Sequence, residues 1–187
     1  MSSFPPVLPG PRRIVTTHNE EGKAIASVDV VAPSFVRFHS SSVVLIAIEV
    51  PGMDGIRSGS YWATIDGLPT NDNNSTEDGA ARTVGEYGLV APGVTNFRYT
   101  DLAPGTTTPM HRTPSIDYNI LVSGELILIN EAGEEKHLKN PGDAVIQKGT
   151  NHAWKNPSAT QWTRWATVLV DGTPAIVGGK ELGFYMG

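Results

Sequence analysis

Short segments in which apolar and polar residues alternate dominate the second half of the chain. They lie at residues 96–102, 115–122, 125–130, 135–138, 143–147, 152–155 and 163–170. Residues that favour tight turns separate them, as at Ser123-Gly124 and Asn140-Pro141-Gly142. Alternation with a period of two is typical of half-buried strands. Many short strands at this spacing predict an all-β barrel or, as the alternative, another antiparallel sandwich.

Two weaker patterns precede this region. Residues 13–17 and 24–30 are β-prone and flank a polar turn segment that ends in Gly22, so residues 1–31 predict an N-terminal β-hairpin. Residues 42–50 are nearly continuous in apolar residues, which fits a strand buried on both faces or a short buried helix.

Residues 52–93 lose this periodicity. Asp66-Gly67-Leu68-Pro69 is rich in turn formers, and residues 71–79 are polar, so we predict a long surface excursion. For the fold as a whole we expect few short helices. A chain of 187 residues is long enough for one domain and short for two. We therefore predict a single domain over residues 1–187.

The amino-acid composition supports an all-β fold and indicates which class of molecule the protein binds. The 20 Gly and 14 Pro residues suit a fold with many turns. A formal net charge of -5, without a run of Lys or Arg, argues against nucleic-acid binding, so we expect a small-molecule substrate. Met1–Gly10 has neither a basic n-region nor an apolar h-region, which predicts a cytoplasmic protein without membrane contact.

The absence of cysteine excludes disulfides, thiolate zinc sites and cysteine nucleophiles. Histidine and carboxylate are then the candidate reactive groups. Because strand side chains alternate between faces, His111 shares a face with Thr113, and His152 shares one with Trp154. If the segments around His111 and His152 face each other inside a barrel, two imidazoles and the Asp117 carboxylate converge at its mouth.

The spacing of these residues resembles the motifs of the cupin superfamily. Gly105-x5-His111-x-Thr113-x3-Asp117-x6-Gly124 is similar to the first cupin motif, and Gly149-x2-His152-x3-Asn156 resembles the end of the second. The segments QKGTNHAW at 147–154 and RRIVT at 12–16 look like those of small stand-alone microbial single-domain cupins. The resemblance implies a double-stranded β-helix, or jelly-roll barrel, with its core motifs in residues 96–170. It also implies a homodimer in which the N-terminal hairpin crosses to the partner.

The chain departs from the cupin pattern at the metal ligands. Cupin metal sites resemble a shell of three His and one Glu, whereas here Thr113 stands at the second His position and Asp117 at the Glu position. The remaining His111, Asp117 and His152 are a candidate set for one weakly held divalent metal, Fe, Zn or Mn. The same three residues can also divide acid and base roles without any metal.

Three functions follow from these residues. The first is a lyase or isomerase that dehydrates, decarboxylates or isomerises a small secondary-metabolite-like substrate. In it His111 and His152 act as acid and base, and Asp117 orients or tunes one of them. The second is a nonheme metal-dependent oxygenase with a site of two His and one Asp. The third is a non-catalytic cupin that binds a small ligand.

Five further residues are predicted to bind the substrate. Arg98 is a candidate clamp for a carboxylate or enolate. Trp154 is a candidate aromatic wall for a planar substrate, because aromatic rings dominate small-molecule pockets. Thr113, Tyr118 and Asn119 are candidate polar groups of the pocket.

Overall fold

Antiparallel strands are the main secondary structure in a computed structural model, which describes residues 8–31, 50, 52–85 and 88–187. The predicted strand or helix at residues 42–50 lies outside the described residues, apart from Val50. The strands are β1 (Arg12–His18), β2 (Ala24–Val31), β3 (Ile56–Thr64), β4 (Thr95–Leu102), β5 (His111–Arg112), β6 (Ser115–Ser123), β7 (Leu126–Asn130), β8 (Glu135–Leu138), β9 (Ala144–Lys148), β10 (His152–Lys155), β11 (Thr163–Asp171), β12 (Ala175–Val177), β13 (Lys180–Leu182) and β14 (Tyr185–Met186).

Two five-stranded sheets form the body of the molecule. The β6 sheet has the order β3-β4-β11-β6-β9, and the β10 sheet has the order β14-β5-β10-β7-β8. Strands distant in sequence, such as β4, β11 and β6, lie side by side, as the crossing connections of a jelly roll require. The predicted all-β jelly-roll fold is confirmed. The predicted N-terminal hairpin is also present, with β1 paired antiparallel to β2.

Strand β6 shows why the alternating segments were recognisable from sequence. Along β6, Ser115, Asp117, Asn119 and Leu121 are buried, and the residues between them are exposed or half-buried. A strand with one face inside a barrel must alternate in this way.

The predicted surface excursion at residues 52–93 is wrong in its first part. Residues 56–64 form β3, which pairs along its length with β4 and so belongs to the β6 sheet. Its buried positions include the small residues Ser58 and Gly59, which do not produce an apolar alternation. Ser58 Oγ instead donates a hydrogen bond to the Tyr99 carbonyl at 2.8 Å. The predicted short helices are present as two 3-10 turns, Asp72–Asn74 and Gly79–Ala81.

The apolar core fills one end of the space between the sheets. Its buried members are Ile56, Leu102, Leu121, Leu126, Leu138, Trp154 and Trp165. Further along β11 the pairing partners become polar, because Trp165 lies opposite Leu121, whereas Thr167 lies opposite Asn119. The barrel interior therefore passes from an apolar floor to a polar layer. No helix in the described part of the chain is long and apolar enough to span a membrane.

Candidate active site

His111 and His152 form a close, tilted pair in the barrel interior. They are direct partners in the antiparallel pairing of β5 with β10, and their ring centroids are 4.3 Å apart with an interplanar angle of 48°. The two strands lie side by side in the β10 sheet. Directly opposite residues of an antiparallel pair point to the same side, so the two imidazoles meet.

Hydrogen bonds to the backbone fix how each imidazole is oriented. His111 Nδ1 lies 2.9 Å from the Pro109 carbonyl oxygen, and His152 Nδ1 lies 2.9 Å from the Thr150 carbonyl oxygen. A carbonyl oxygen only accepts, so Nδ1 is the donor in both rings. In a neutral imidazole the Nε2 atom then keeps its lone pair, and both rings present a base.

Burial keeps both imidazoles neutral. It lowers the pKa of His111 below the ordinary value for histidine. Burial also lowers the pKa of His152, to about 4, and the neighbouring His111 adds to this shift. Two cations at this spacing in a desolvated site would repel each other strongly. Near pH 7 the pair is therefore uncharged.

Asp117 lies on β6, in the other sheet, within a network of hydroxyl groups. The Ser115 hydroxyl is 2.6 Å from Asp117 Oδ1 and 2.8 Å from Thr113 Oγ1, and Thr113 Oγ1 is 3.5 Å from Asp117 Oδ2. Burial raises the pKa of Asp117 to about 6, although these hydrogen bonds oppose the shift. Sequence reasoning missed Ser115, although its position two residues from both Thr113 and Asp117 is the signal that would have found it.

The expected metal-ligand set does not assemble. Within the described ranges, no group of three or more His, Asp or Glu side chains is arranged to hold a metal ion. The side-chain hydrogen bonds of Asp117 come from Ser115 and Thr113, while His111 and His152 bond to backbone carbonyls. As placed here, His111, Asp117 and His152 do not fit a three-ligand metal centre.

Arg98 and Asn119 line the barrel interior in one cross-strand row. Thr167 on β11 lies opposite both residues and donates a hydrogen bond to Asn119 Oδ1 at 2.7 Å. Arg98 donates to Ser58 Oγ at 2.6 Å and to the Gly88 carbonyl at 2.8 Å, and burial lowers its pKa to about 10. Sequence reasoning missed Thr167, because it lies on a strand without a recognised motif.

Two predicted substrate-binding residues lie elsewhere than expected. Tyr118 is 45% exposed, and it lies on the outer face of β6, because its neighbours Asp117 and Asn119 point inward. Its prediction as a pocket residue is therefore wrong. Trp154 is buried in the apolar core, 5.5 Å edge-on from His152 and 5.7 Å from Trp165. Trp154 therefore packs against His152 and does not form an open aromatic wall for the substrate.

Comparison with known proteins agrees with this architecture. Residues 98–169 match the family model described as Cupin domain. The chain is 32% identical over 182 residues to the Oryzines biosynthesis cluster protein J of Aspergillus oryzae, covering 96% of this chain and 93% of that protein. It is 30% identical over 188 residues to the Cupin-domain-containing oxidoreductase srdB of Neurospora crassa, covering 100% of this chain and 87% of that protein.

A third relative matches over a shorter stretch. The chain is 43% identical over 96 residues to the Phomopsin biosynthesis cluster protein D of Diaporthe leptostromiformis, and the match covers 51% of this chain and 50% of that protein. Three observations assign the family of this chain: the jelly-roll topology, the two motif segments, and the relatives that align with nearly the whole chain. The chain belongs to the cupin superfamily.

Proposed function

We propose that this protein is a lyase or isomerase that moves protons on a small substrate bound inside the barrel. The observation that supports this proposal best is the His111–His152 pair. Two neutral imidazoles are held side by side, with Nδ1 tied to the backbone and Nε2 available as a base. General acid–base catalysis of this kind contributes about 10²–10⁴-fold to a rate.

The proposed reaction begins with removal of a proton from a carbon next to a carbonyl group. The Nε2 atom of one histidine takes the proton, and the electron pair of the broken C–H bond forms an enolate. The imidazolium then returns the proton, either to a leaving hydroxyl, which departs as water, or to another carbon. The first outcome is a dehydration and the second an isomerisation, and neither requires an oxidant or a reductant.

Asp117 has the proposed role of orienting the substrate. Its carboxylate can accept a hydrogen bond from a substrate hydroxyl, and Ser115, at 2.6 Å, fixes its direction. The Arg98, Thr167 and Asn119 row adds polar groups to the same interior. The floor of Trp154 and Trp165 is apolar, so a substrate with an apolar body and one oxygenated end fits this interior.

The names of two relatives support a substrate from secondary metabolism. The Aspergillus oryzae and Diaporthe leptostromiformis proteins are named as members of the oryzine and phomopsin biosynthesis clusters. Small oxygenated carbonyl compounds are common intermediates where acid–base steps are needed. We propose β-hydroxy carbonyl or β-keto acid compounds as the substrate class.

Solvent deuterium exchange tests this proposal. Purified protein is incubated in D₂O with a panel of β-hydroxy carbonyl and β-keto acid compounds, and mass spectrometry follows deuterium uptake and product formation. We expect exchange that falls at least 100-fold in His111→Asn and in His152→Asn. The asparagine amide keeps a donor near the Nδ1 position but removes the Nε2 base.

His137→Asn is the matched control, because His137 is partly exposed and pairs with Glu125 at 2.7 Å. This variant keeps the wild-type exchange rate if the proposal is correct. A protein that binds panel compounds but leaves them unlabelled and unchanged contradicts the proposal. That result supports the non-catalytic ligand-binding cupin.

A metal-dependent oxidoreductase is the second candidate, because the Neurospora crassa relative is named an oxidoreductase. In that case His111 and His152 would supply two imidazole ligands, and a bound metal would supply the redox chemistry. Elemental analysis before and after chelation separates the two candidates. Turnover that survives chelation supports the acid–base enzyme. A stoichiometric metal whose removal abolishes turnover supports the oxidoreductase and contradicts our first proposal.

A further inference from the structure

Residues 172–187 lead the chain from one wall of the barrel interior to the other. Strand β11 ends at Asp171, which pairs with Ser115 on β6, and the Gly172 N–H donates a hydrogen bond to the Pro114 carbonyl at 3.1 Å. After the short β12–β13 hairpin, β14 pairs with β5 in the β10 sheet. We call residues 172–187 the strap. It joins the two sheets at the end of the barrel where Ser115 lies.

Met186 of the strap lies directly beside His111. The two residues are partners in the antiparallel pairing of β14 with β5. The Gly187 N–H donates to the Met110 carbonyl at 2.9 Å, so Met186 and His111 form a non-hydrogen-bonded pair. In such a pair the Cα atoms are about 4.5 Å apart, and both side chains point to the same side of the sheet. The Met186 side chain is therefore a neighbour of the His111 imidazole.

His111 has a different neighbour on each side. Its partner on β10 is His152, and its partner on β14 is Met186. His152 is buried, and it shares its face of β10 with Trp154 of the apolar core. This face is the inner one, so His152, His111 and Met186 form a row along the wall of the interior. An imidazole thus lies on one side of His111, and a thioether side chain lies on the other.

Met186 stands at the open end of this row. It is 38% exposed, so packing of the apolar core does not account for its position. Its backbone is nevertheless held, because β14 pairs with β5 and Arg112 Nε donates to the Gly183 carbonyl at 2.8 Å. Methionine is flexible and polarisable, and it adapts its shape to apolar ligands. Met186 therefore combines a fixed backbone with a side chain that can pack against a bound molecule.

The strap lies beyond the part of the chain that matches the family model. That match covers residues 98–169, so the motifs that identify a cupin carry no information about Met186. The wall that Met186 adds beside His111 is a feature of this chain's own sequence.

We infer that Met186 contacts the substrate and selects compounds that carry an apolar substituent on the carbon next to His111. The inference rests on the proposed acid–base function, with His111 as the base. The opposite wall is polar, since the Asp117 carboxylate accepts a hydrogen bond from the Ser115 hydroxyl at 2.6 Å. A β-hydroxy carbonyl compound that directs its oxygens toward Asp117 turns the remaining substituent of its α-carbon toward Met186. A charged substituent would be desolvated there, beside a thioether that is only a weak acceptor.

A comparison of substrates tests this inference. The substrates are β-hydroxy ketones whose α-carbon carries a methyl, propyl or carboxymethyl group, and kcat/KM is measured for deuterium exchange at that carbon. We expect the wild type to prefer propyl over carboxymethyl by about tenfold or more. Met186→Lys reverses this preference, because its ammonium group pairs with the substrate carboxylate. A ratio of two substrates cancels any general effect of a variant on the base or on folding.

Ile176→Lys is the matched control, since it adds the same charge to the strap at a residue that is 73% exposed on β12. We expect this variant to keep the wild-type preference. Met186→Leu also keeps it, because leucine is apolar and of similar volume. An unchanged preference in Met186→Lys, with exchange intact, overturns the inference and leaves the proposed function standing.

Methyl NMR supplies a measurement that does not need turnover. The chain is labelled at the methionine methyl groups, and the Met186 signal is assigned by its loss in Met186→Leu. We expect the propyl compound to shift this signal both in the wild type and in His111→Asn. A shift without any exchange contradicts the proposed function and still supports the substrate contact. A Met186 signal that no compound of the series shifts overturns the inference.

Discussion

At the scale of single residues, the site depends on how each side chain is held. The spacing of two short motifs selected His111, Asp117 and His152 as candidates, and their catalytic role stays a prediction. The sequence did not predict that both imidazoles donate through Nδ1, because this depends on the carbonyls of Pro109 and Thr150. The role of Ser115 was also missed, although its position two residues from both Thr113 and Asp117 was a signal for it.

Asp117 gives a pH-dependent prediction at this scale. Burial raises its pKa from 3.8 to about 6, so folding favours the protonated form. Its contribution to stability is fully present below pH 3.8 and is lost as the pH rises through about 6. Asp117→Asn mimics the protonated acid, and we expect it to raise the free energy of unfolding, relative to wild type, by about 2 kcal/mol more at pH 7.5 than at pH 4.

Urea unfolding at both pH values measures this difference. Asp29→Asn is the control, because Asp29 is exposed on the hairpin and its pKa is lowered by Arg12 rather than raised by burial. That variant should show no gain in stability on going to pH 7.5. A difference for Asp117→Asn that does not change with pH would mean that the carboxylate is solvated in the folded protein.

At the scale of elements, the strands with an alternating pattern were predicted within one or two residues. The turns between them contain glycines that the conformation requires, and Gly124 between β6 and β7 is the clearest example. Its φ is +75°, and a methyl group there would overlap Thr163 Oγ1 and the Trp162 carbonyl oxygen. Gly133, between β7 and β8, has a φ of +81° but open space around it.

Alanine substitutions at Gly124 and Gly133 distinguish the cost of backbone strain from the cost of steric overlap. We expect Gly133→Ala to cost about 1 kcal/mol of unfolding free energy, from the left-handed backbone alone. Gly124→Ala should cost about 3 kcal/mol, because overpacking adds to the same strain. Thermal unfolding of the two variants measures the difference. Equal losses would show that the turn at Gly124 can open to accept the methyl group.

Strand β3 and the C-terminal strands could not be predicted from pattern. The buried side of β3 includes Ser58, whose burial is satisfied by hydrogen bonds to Tyr99 and Arg98 rather than by apolar packing. Strand β14 has only two residues, and its existence depends on pairing with β5 beside His111. Short or polar strands of this kind are specified by tertiary contacts, which local sequence does not show.

At the scale of the whole molecule, the cupin resemblance predicted the architecture, while the weakly held divalent metal stays a prediction. The jelly roll brings β5, β6 and β10 around one interior, as the motif spacing implied. In this chain Thr113 replaces a metal ligand of the family pattern, and it bonds with Ser115 instead. The same interior therefore presents two neutral bases and a hydroxyl-bound carboxylate. The single-domain organisation of residues 1–187 stays a prediction.

The arrangement of the two sheets also explains why the site is buried from solvent although it contains polar side chains. The core cluster closes one end of the interior, and His152 lies directly beside it with only 2% of its surface exposed. Desolvation of this kind weakens the bases and keeps them uncharged. The proposed chemistry thus depends on the whole barrel, although two side chains perform it.

The protonation state of the two histidines tests the central claim most directly. Long-range ¹H–¹⁵N NMR spectra of His111 and His152, assigned with the two His→Asn variants, report which ring nitrogen holds the proton at each pH. We predict that both rings are neutral and protonated on Nδ1 at pH 7, and that His152 takes up a proton only near pH 4. A ring that is charged at pH 7, or protonated on Nε2, would contradict the account.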